Sequence, residues 1–331
     1  MSKIDELVAE LCPDGVPFVP MWQLTTWDKR FNAVDRHKQP RIEKYRYLLA
    51  KELSPLIVDG GDIKILSTND SDLWTTEQQV DGPIHEAKII AIPWGGNAIV
   101  QYYSGRFVTS DNRIAIANDP NQLDMKFLYY FMSNNIAELA SYYRGSGIKH
   151  PSMAKVLDWS IPVPPLEIQR EIVRILDTFS KMEAELEAEL EARKQQYEYY
   201  RQHLLSDTEG DSVSLGDIFE MRAGTHIKAS DISKEKTDTH PFPCFGGNGV
   251  RGFVALNNYD TNAVFVGRQG ALCGNVQRFN GEFYATEHAV VVTPKGSVDM
   301  SWAFHKLTEM DLNQYKTKSA QPGLAVGKLK D

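Results

Sequence analysis

The stretch IPVPPLEIQREIVRILDTFSKMEAELEAELEARKQQYEYYRQHLL at residues 161–205 decides how this chain is organised. Its start is extended, because each proline fixes φ and disfavours helix in the residue before it. Pro165 followed by Glu167 is a favourable helix start, since the proline loses no helical hydrogen bond there and the carboxylate meets the positive end of the helix dipole. Residues 166–206 contain neither glycine nor proline, which predicts one continuous helix about 60 Å long.

Apolar residues in this helix recur at alternating spacings of four and three, a pattern typical of a coiled-coil seam. The pattern lapses at Glu189 and Arg193 and then returns. The predicted seam, which we interpret as a partner interface, consists of Ile168, Ile172, Ile175, Phe179, Met182, Leu186, Tyr197, Tyr200 and Leu204. Asp177–Lys181 and Glu189–Arg193 are predicted i,i+4 ion pairs. A seam of this length indicates a partner helix, and the alternative is a lone surface helix.

The β-rich flanks of the helix resemble each other. GRFVTSDN at 105–112 matches GEFYATEH at 281–288, and KIIAIPWGG at 88–96 matches NAVFVGRQG at 262–270. Further matches are DMKFLYYF at 124–131 with DMSWAFHK at 299–306, and HPSMAKVLD at 150–158 with QPGLAVGKLKD at 321–331. Matches that recur in one order at an offset of about 175 residues indicate a tandem duplication.

The duplication predicts an α+β fold with two mixed β-rich domains separated by a long, coiled-coil-forming helix. We place the first domain at 1–160, with a short N-terminal helix, the long helix at 161–206, and the second domain at 207–331. The second copy stops at Asp331, where the first continues into Trp159 and the proline-rich segment. We interpret this as truncation before a second long helix.

Composition excludes several classes of protein. No apolar run approaches the roughly 18 residues that span a membrane, and the charged start MSKIDELVAE is not a signal peptide. Cys12, Cys244 and Cys273 are scattered, without a CxxC pair or zinc-ligand spacing, so we expect a reducing cytoplasm and three packing residues.

Charge is unevenly distributed along the chain. The net charge of −8 disfavours nucleic acid as a partner, yet eight basic residues lie between Lys29 and Lys51, and much of the acid lies in the run Glu183–Glu191. This split is compatible with one DNA-facing surface and one acidic spacer. A solvated basic helix face is the alternative interpretation of the basic cluster.

Motifs of catalysis are missing from the sequence. There is no Gly-x-x-x-x-Gly-Lys-Ser/Thr phosphate loop, since the glycine-rich run 246–252 lacks the lysine and better fits a hairpin turn at Asn248-Gly249. Neither Asn-Pro-Pro-Tyr nor Asp-Pro-Pro-Tyr, the base pocket of amino-methyltransferases, occurs. We therefore expect no catalytic residue and no metal ligand. A self-contained nuclease or methylase is the alternative that these missing motifs disfavour.

Two β-rich domains on either side of a long helix that begins IPVPPLEIQREIVRILD at 161–177 and ends RKQQYEYYRQHLL at 193–205 resemble the specificity subunits of type I restriction–modification enzymes. The resemblance spans nearly the whole chain and implies a non-catalytic, DNA-binding subunit of a host-defence restriction system. Each target-recognition domain would read one half of a split double-stranded DNA site. Two antiparallel helices would set the spacing of the halves and dock methylation subunits, and through them a restriction subunit.

The resemblance also implies where cofactors lie. None is expected in this chain, because S-adenosylmethionine, ATP and Mg²⁺ belong to the partner subunits. The missing second helix raises the further expectation that two copies of this chain pair through their seams as a homodimer.

Candidate DNA-binding residues follow from the basic clusters and from the usual readers of bases, which are Arg or Lys on guanine and Asn or Gln on adenine. They are Lys29, Arg30, Arg36, Lys38, Arg41, Lys44 and Arg46, the residues Arg144, Lys149 and His150 of the loop RGSGIKH, and in the second domain Arg251, Arg268, Gln269, Lys316 and Lys318. The main alternative function is a coiled-coil scaffold that binds protein and not DNA. That hypothesis would gain if the Lys29–Lys51 cluster proved to be scattered over several faces.

Overall fold

The structure is a computed structural model that describes residues 3–206, 213–270, 272–317 and 322–330. The helices are α1 (Lys3–Leu11), α2 (Met21–Leu24), α3 (Ala50–Leu53), α4 (Met125–Asn134), α5 (Ile136–Ser141), α6 (Met153–Asp158), α7 (Leu166–Ser206), α8 (Leu215–Ile218), α9 (Met300–Glu309) and α10 (Val326–Lys330). The strands are β1 (Phe18–Pro20), β2 (Thr25–Trp27), β3 (Ile63–Leu66), β4 (Leu73–Thr75), β5 (His85–Pro93), β6 (Gln101–Thr109), β7 (Asn112–Ala117), β8 (Tyr143–Arg144), β9 (His150–Pro151), β10 (Ser160–Pro162), β11 (Phe219–Ala223), β12 (Phe242–Gly246), β13 (Gly249–Val254), β14 (Tyr259–Gly267), β15 (Val276–Ala285) and β16 (Ala289–Pro294).

Two six-stranded sheets share one topology. The first has the order β2-β7-β5-β6-β3-β4 and the second the order β11-β16-β14-β15-β12-β13. Within each sheet one neighbouring pair is parallel, β3 with β6 and β12 with β15, and the others are antiparallel. The matching order confirms the α+β fold with two mixed β-rich domains that the repeated sequence motifs predict.

Burial is also repeated between the two sheets. β5 and β14 both alternate in exposure over their first four residues and are buried over their last five. The buried ends are covered on both faces: in the first domain Ile90 and Ile92 belong to the cluster that includes α4, while Ile89 and Ala91 lie in a second cluster. A strand covered on both faces reads as a continuous apolar run, which is why KIIAIP and NAVFVG look alike in sequence.

The helices that cover the sheets begin with the same cap. The Asp124 carboxylate accepts backbone N–H bonds from Lys126 at 2.7 Å and Phe127 at 3.3 Å, and Asp299 accepts from Ser301 at 2.6 Å and Trp302 at 3.1 Å. An aspartate at this position satisfies amide groups that have no partner inside the helix. The Asp-Met pairs of the repeat are therefore helix starts, as the sequence predicts.

The start of α7 is tied into the first domain by a buried amide. The Gln169 side chain is fully buried; its nitrogen donates to the carbonyls of Gln122 and Pro164, both at 2.8 Å, and its oxygen accepts from the Asp124 backbone at 2.9 Å. One turn further on, Ile172 packs against the core of that domain. The chain divides into two compact units, Met1–Leu186 and Glu187–Asp331, so each unit contains part of α7.

One predicted ion pair on α7 is wrong. Asp177 does not pair with Lys181; its carboxylate accepts from Lys126 at 2.7 Å and from the Tyr130 hydroxyl at 2.5 Å, because α4 packs beside this turn. Lys181 instead lies 3.6 Å from Glu185. The predicted Glu189–Arg193 pair is confirmed at 3.3 Å.

Candidate nucleic-acid interface

In the first domain, the loop after β5 meets the loop between β8 and β9. The Gly96 backbone N–H donates to the Lys149 carbonyl at 2.9 Å, and His150 Nδ1 donates to the Trp94 carbonyl at 2.7 Å. The Arg144 and Lys149 side chains on this loop are exposed, and no hydrogen bond or ion pair of either is found within the described residues. The predicted cluster Arg144–Lys149–His150 is thus one surface at the end of β5.

Trp94 brings a cation from the other predicted cluster to the same surface. Lys29 Nζ lies 5.1 Å from the centre of the Trp94 ring, and the Arg113 guanidinium lies 4.5 Å from it. Arg113 is buried and pairs with Asp28 at 3.0 Å and Asp111 at 2.6 Å. Burial raises the pKa of Asp28, and the charge of Arg113 opposes that rise.

Sequence reasoning did not single out Trp94 or Arg113. Trp94 comes directly after a buried strand, next to Gly95 and Gly96, and this position was a detectable signal for a loop at the sheet edge. Arg113 carries no such signal, because its distant partner Asp28 is brought to it only by the pairing of β2 with β7.

The rest of the basic cluster does not form one patch. Lys38 pairs with Asp158 at the end of α6, at 2.6 Å, and Arg30 donates to the Gln39 carbonyl in its own loop at 2.8 Å. The Arg46 guanidinium donates to the Asp81 carbonyl at 2.9 Å. Four further members of the cluster are exposed, and no polar partner of their side chains is found within the described residues: Arg36, Arg41, Lys44 and Lys51.

The distance between the two ends of this cluster follows from β5. The Arg46 backbone N–H donates to His85, the first residue of β5, whereas Lys29 lies beside Trp94, just past its last residue. Nine extended residues at about 3.3 Å each separate these points by about 30 Å. Cations that lie close together in the sequence are therefore spread over the length of β5.

The second domain builds the same loop from different residues. The Arg268 backbone N–H donates to the His288 carbonyl at 3.0 Å, as Trp94 donates to Asp111 at 3.0 Å. Gly270 donates to the Pro322 carbonyl at 3.0 Å, as Gly96 donates to Lys149. Arg268 and Gln269 therefore occupy the positions of Trp94 and Gly95.

A cleft lies beside this loop in the second domain. It is lined by Gly247, Asn248, Gly249, Val250, Arg251, Gln269 and His288. Its wall is the hairpin of β12 and β13, whose two-residue turn is Gly247-Asn248, one residue earlier than the predicted Asn248-Gly249. The hairpin brings Arg251 to the same cleft as Gln269, so two of the predicted DNA-binding residues come together.

The remaining predicted residues of the second domain are less available. Arg268 is partly buried, and Lys316 donates to the Asn313 side chain at 2.6 Å. Lys318 lies outside the described residues.

Two histidines flank a carboxylate next to the cleft. Glu287 accepts from His226 Nδ1 at 2.8 Å and lies 3.4 Å from His288 Nε2. Burial opposes the ionisation of Glu287, but the hydrogen bond from His226 and the neighbouring histidine charges hold its pKa below the ordinary value. His288 is not among the predicted site residues, although the residue that it contacts is its own neighbour in the sequence.

The predicted seam on α7 is partly covered and partly exposed. Ile168 is buried and Ile172 and Ile175 are half-buried, because the first turns pack on the first domain, so Ile168 is not available to a partner. The later residues are exposed, Phe179 by 64% and Leu186 by 66%. We call the following exposed set the α7 stripe: Phe179, Met182, Leu186, Leu190, Tyr197, Tyr200 and Leu204. Leu190, four residues after Leu186, continues the pattern where the sequence analysis placed a lapse.

Two other kinds of site are absent from the described ranges. No three His, Cys, Asp or Glu side chains there are grouped so that they could hold a metal ion. None of the helices there has both the length and the apolar character needed to cross a membrane.

The fold recurs in solved structures. The type I restriction–modification S subunit from M. genitalium matches 89% of this chain and 78% of its own length, with a TM-score of 0.62 at 18% identity. A structure described as the basis of complex assembly and conformational transition of the type I R-M system matches 96% of this chain and 85% of its own length, with a TM-score of 0.51 at 15% identity. At such identities the likeness establishes the fold.

Sequence relatives point to one family. The specificity subunit of the type I restriction enzyme EcoprrI from Escherichia coli is 49% identical over 223 residues, which is 63% of this chain and 56% of that protein. A putative type I restriction enzyme specificity subunit from Haemophilus influenzae is 33% identical over 160 residues, 44% of this chain and 41% of that protein. The chain thus spans about half the length of these two relatives.

The family model described as the type I restriction modification DNA specificity domain matches this chain twice, at residues 42–193 and 208–331. The two matches cover most of the first β-rich domain, the second domain and much of α7, so the resemblance stated from the sequence is confirmed. The chain belongs to the type I restriction–modification DNA specificity family.

Proposed function

We propose that this chain is the DNA-reading subunit of a type I restriction–modification complex, that its two domains read the two halves of a split site, and that it carries no catalytic residue of its own. The observation that carries the proposal is the repeated loop at Trp94 and Arg268, which places unpaired cations or amides at the same edge of both sheets. Repeated presentation of hydrogen-bonding side chains on one scaffold suits a target with two similar halves.

The charges of the first domain support DNA as the ligand. Arg41, Lys44, Arg144 and Lys149 are exposed, and their side chains have no polar partner within the described residues. A cation that is not neutralised by its own protein is free to meet a phosphate and release a counterion. The overall charge of −8 does not oppose this, because the acidic run Glu183–Glu191 lies on α7.

The α7 stripe supports a docking role. The stripe places seven exposed large side chains on one helix. Burying their apolar surface would release roughly 25 cal/mol per Å². We propose that methylation subunits, which would supply S-adenosylmethionine and the transfer chemistry, cover this stripe, and that the restriction subunit, with its ATP and Mg²⁺, joins through them.

In the absence of methylation subunits, we propose that a second copy of this chain covers the stripe as an antiparallel pair about a two-fold axis. Light scattering of the isolated chain tests this. A dimer is expected, and a monomer at micromolar concentration with a fully formed α7 would contradict the pairing.

The salt dependence of DNA binding tests the main proposal. For the chain assembled with its methylation subunits, we expect the logarithm of the binding constant to fall steeply with the logarithm of salt concentration. Replacing Arg41 and Lys44 with alanine should flatten the slope by about two units if each meets one phosphate. Adding Arg46→Ala should flatten the slope by up to one further unit. The change should be smaller if the Arg46 side chain of the unmodified chain stays bonded to the Asp81 carbonyl and does not meet a phosphate.

Arg106→Ala is the matched control, since Arg106 already pairs with Asp62 at 3.3 Å and Glu77 at 2.6 Å. Its slope should equal that of the unmodified chain. If replacing Arg41, Lys44 and Arg46 left the slope unchanged, these three residues would not belong to the DNA interface.

The second candidate function is a coiled-coil scaffold whose β-domains bind protein. The exposed α7 stripe and the roughly 30 Å spread of the basic cluster favour it. Under this hypothesis the methylation subunits would still bind, but the assembled complex would show no salt-sensitive affinity for duplex DNA.

A further inference from the structure

Two unpaired polar side chains from different elements line the cleft of the second domain. Arg251 comes from β13 and Gln269 from the loop after β14, and both are exposed. Within the described residues neither side chain has a hydrogen bond or ion pair. Other polar side chains nearby are already bonded, such as Lys316 to Asn313 and Asn275 to Asn248 at 3.2 Å.

The backbone that carries Gln269 is held firmly. Gln269 forms a β-bridge with Gly323, and its neighbours are bonded on both sides, Arg268 to His288 and Gly270 to Pro322, each at 3.0 Å. A side chain that is free on a fixed backbone loses little freedom of the main chain when it binds. Gln269 is therefore placed to contact a ligand and not to stabilise the loop.

Arg251 is positioned by a glycine across the hairpin. A Cβ on Gly246 would lie 2.5 Å from Arg251 Cδ and 2.9 Å from its Cγ, so the absence of a side chain at 246 leaves room for the arginine stem. Gly246 has no left-handed φ, and the backbone itself would tolerate alanine there. The glycine thus sets the direction of Arg251 and not the shape of the strand.

The chemistry of the pair matches the edges of purine bases. A guanidinium donates two parallel hydrogen bonds to guanine O6 and N7, and a carboxamide both accepts from adenine N6 and donates to N7. The equivalent loop of the first domain has Trp94 and Gly95 in place of Arg268 and Gln269, so it offers no amide side chain at this point. The two domains therefore present different groups on one scaffold.

Resting on the proposed function, we propose that Arg251 and Gln269 are specificity-determining residues that read neighbouring guanine and adenine bases in the half-site of the second domain. The first domain would read its half without this pair. One half of the DNA site should therefore contain a guanine and an adenine whose selection depends on these two side chains.

The test selects bound duplexes from a library of random sequence, with the full chain assembled with its methylation subunits and S-adenosylmethionine. Gln269→Ala should relax an adenine preference at one position by about 5- to 150-fold, and Arg251→Ala should do the same for a guanine nearby. Gly246→Ala, which keeps the arginine but displaces its stem, should weaken the same guanine preference. The base preference at every position of the other half-site should stay unchanged.

Matched controls lie in the same domain. Arg222→Ala removes an arginine that pairs with Glu220 on β11, at the edge of the sheet opposite β13, and Gln314→Ala removes an exposed glutamine that donates to the Met310 carbonyl at 2.8 Å. Both should select the unmodified motif.

The outcomes separate this inference from the proposed function. A motif selected by the unmodified chain and kept by Gln269→Ala and Arg251→Ala overturns the inference alone, as does uniform weakening for all sequences, which would indicate phosphate contacts. Failure of the unmodified complex to select any motif overturns the proposed function and the inference with it.

Discussion

The two domains have sheets of the same topology but differ in the loops at the edges of those sheets. Strand order, the parallel pair, the burial of the central strands and the aspartate caps of α4 and α9 are all repeated. At the equivalent loops, however, one domain has Trp94 with a buried Arg113 and the other has Arg268 and Gln269 beside a cleft. The repeated features are those that bury apolar surface, and the differing ones lie where side chains face solvent.

Attachment to α7 differs in the same way. Tyr130 of α4 and His305 of α9 occupy equivalent positions, and each bonds α7, Tyr130 to Asp177 at 2.5 Å and His305 to Tyr197 at 3.0 Å. Within the described residues, the first domain adds a fully buried polar anchor, Gln169, whereas the second unit buries the apolar Leu205 of α7. The first domain thus includes the start of α7 in its packing, whereas in the second unit Tyr197, Tyr200 and Leu204 of α7 stay exposed.

The largest effect is expected on the α7 stripe. Phe179→Asp with Leu186→Asp should abolish binding of a methylation subunit in a pull-down, because two charges would be buried without partners. Both positions are more than 60% exposed, so thermal unfolding should be unchanged. Ala184→Asp with Ala188→Asp adds the same charge away from the stripe and should bind normally. Retained binding in the first variant would show that the stripe is not the docking surface.

The next effect breaks the symmetry of the two domains. Gln169→Ala leaves the Asp124 amide and the carbonyls of Gln122 and Pro164 without their partner and should destabilise the first domain by about 2–3 kcal/mol. Urea unfolding followed by tryptophan fluorescence reports mainly this domain, since five of the six tryptophans lie before residue 160. Gln195→Ala, on the exposed part of α7, should change the free energy of unfolding little. Equal effects of the two variants would contradict the anchoring role.

A smaller effect should be the same in both domains. Asp124→Ala and Asp299→Ala each remove a side-chain cap and should cost about 1 kcal/mol. Hydrogen exchange read by mass spectrometry, on peptides from α4 and α9, measures each helix separately. Faster exchange in one helix alone would show that the two caps are not equivalent.

The smallest effect is a pH dependence confined to the first domain. The Arg174 guanidinium, helped by Lys3, lowers the pKa of Glu171 from 4.5 to about 2. A depressed carboxyl pKa stabilises the fold fully above its unfolded value, and the contribution is lost as pH falls from about 4.5 towards 2. Glu171→Gln should therefore flatten the acid side of the stability profile. An unchanged profile would show that the pair contributes nothing.

The sequence predicts the parts of the fold that depend on local pattern. The long helix follows from the absence of glycine and proline after Pro165, and the duplicated sheets follow from apolar runs that match in order. The Glu189–Arg193 pair was predictable because both residues lie on one exposed face of one helix. The partners of Asp177 were not predictable, since they come from α4, 47 and 51 residues away in the sequence.

The candidate site was only half visible in the sequence. Arg144, Lys149 and His150 share a short loop, and spacing was enough to group them. The Lys29–Lys51 cluster looked equally compact, but Lys29 lies near one end of β5 and Arg46 near the other, which is the scatter expected to favour a scaffold. Arg251 and Gln269 line one cleft only because β12 pairs with β13 and β15, and β15 pairs with β14, which residue spacing does not encode.

The central claim is that two copies of one domain, joined by α7, read two halves of one DNA site. Sequencing the duplexes that the chain and its methylation subunits select from a random library tests it most directly. We expect two short, unequal motifs separated by a spacer of fixed length and no sequence preference. A single continuous motif, or no enrichment over the input library, would contradict it.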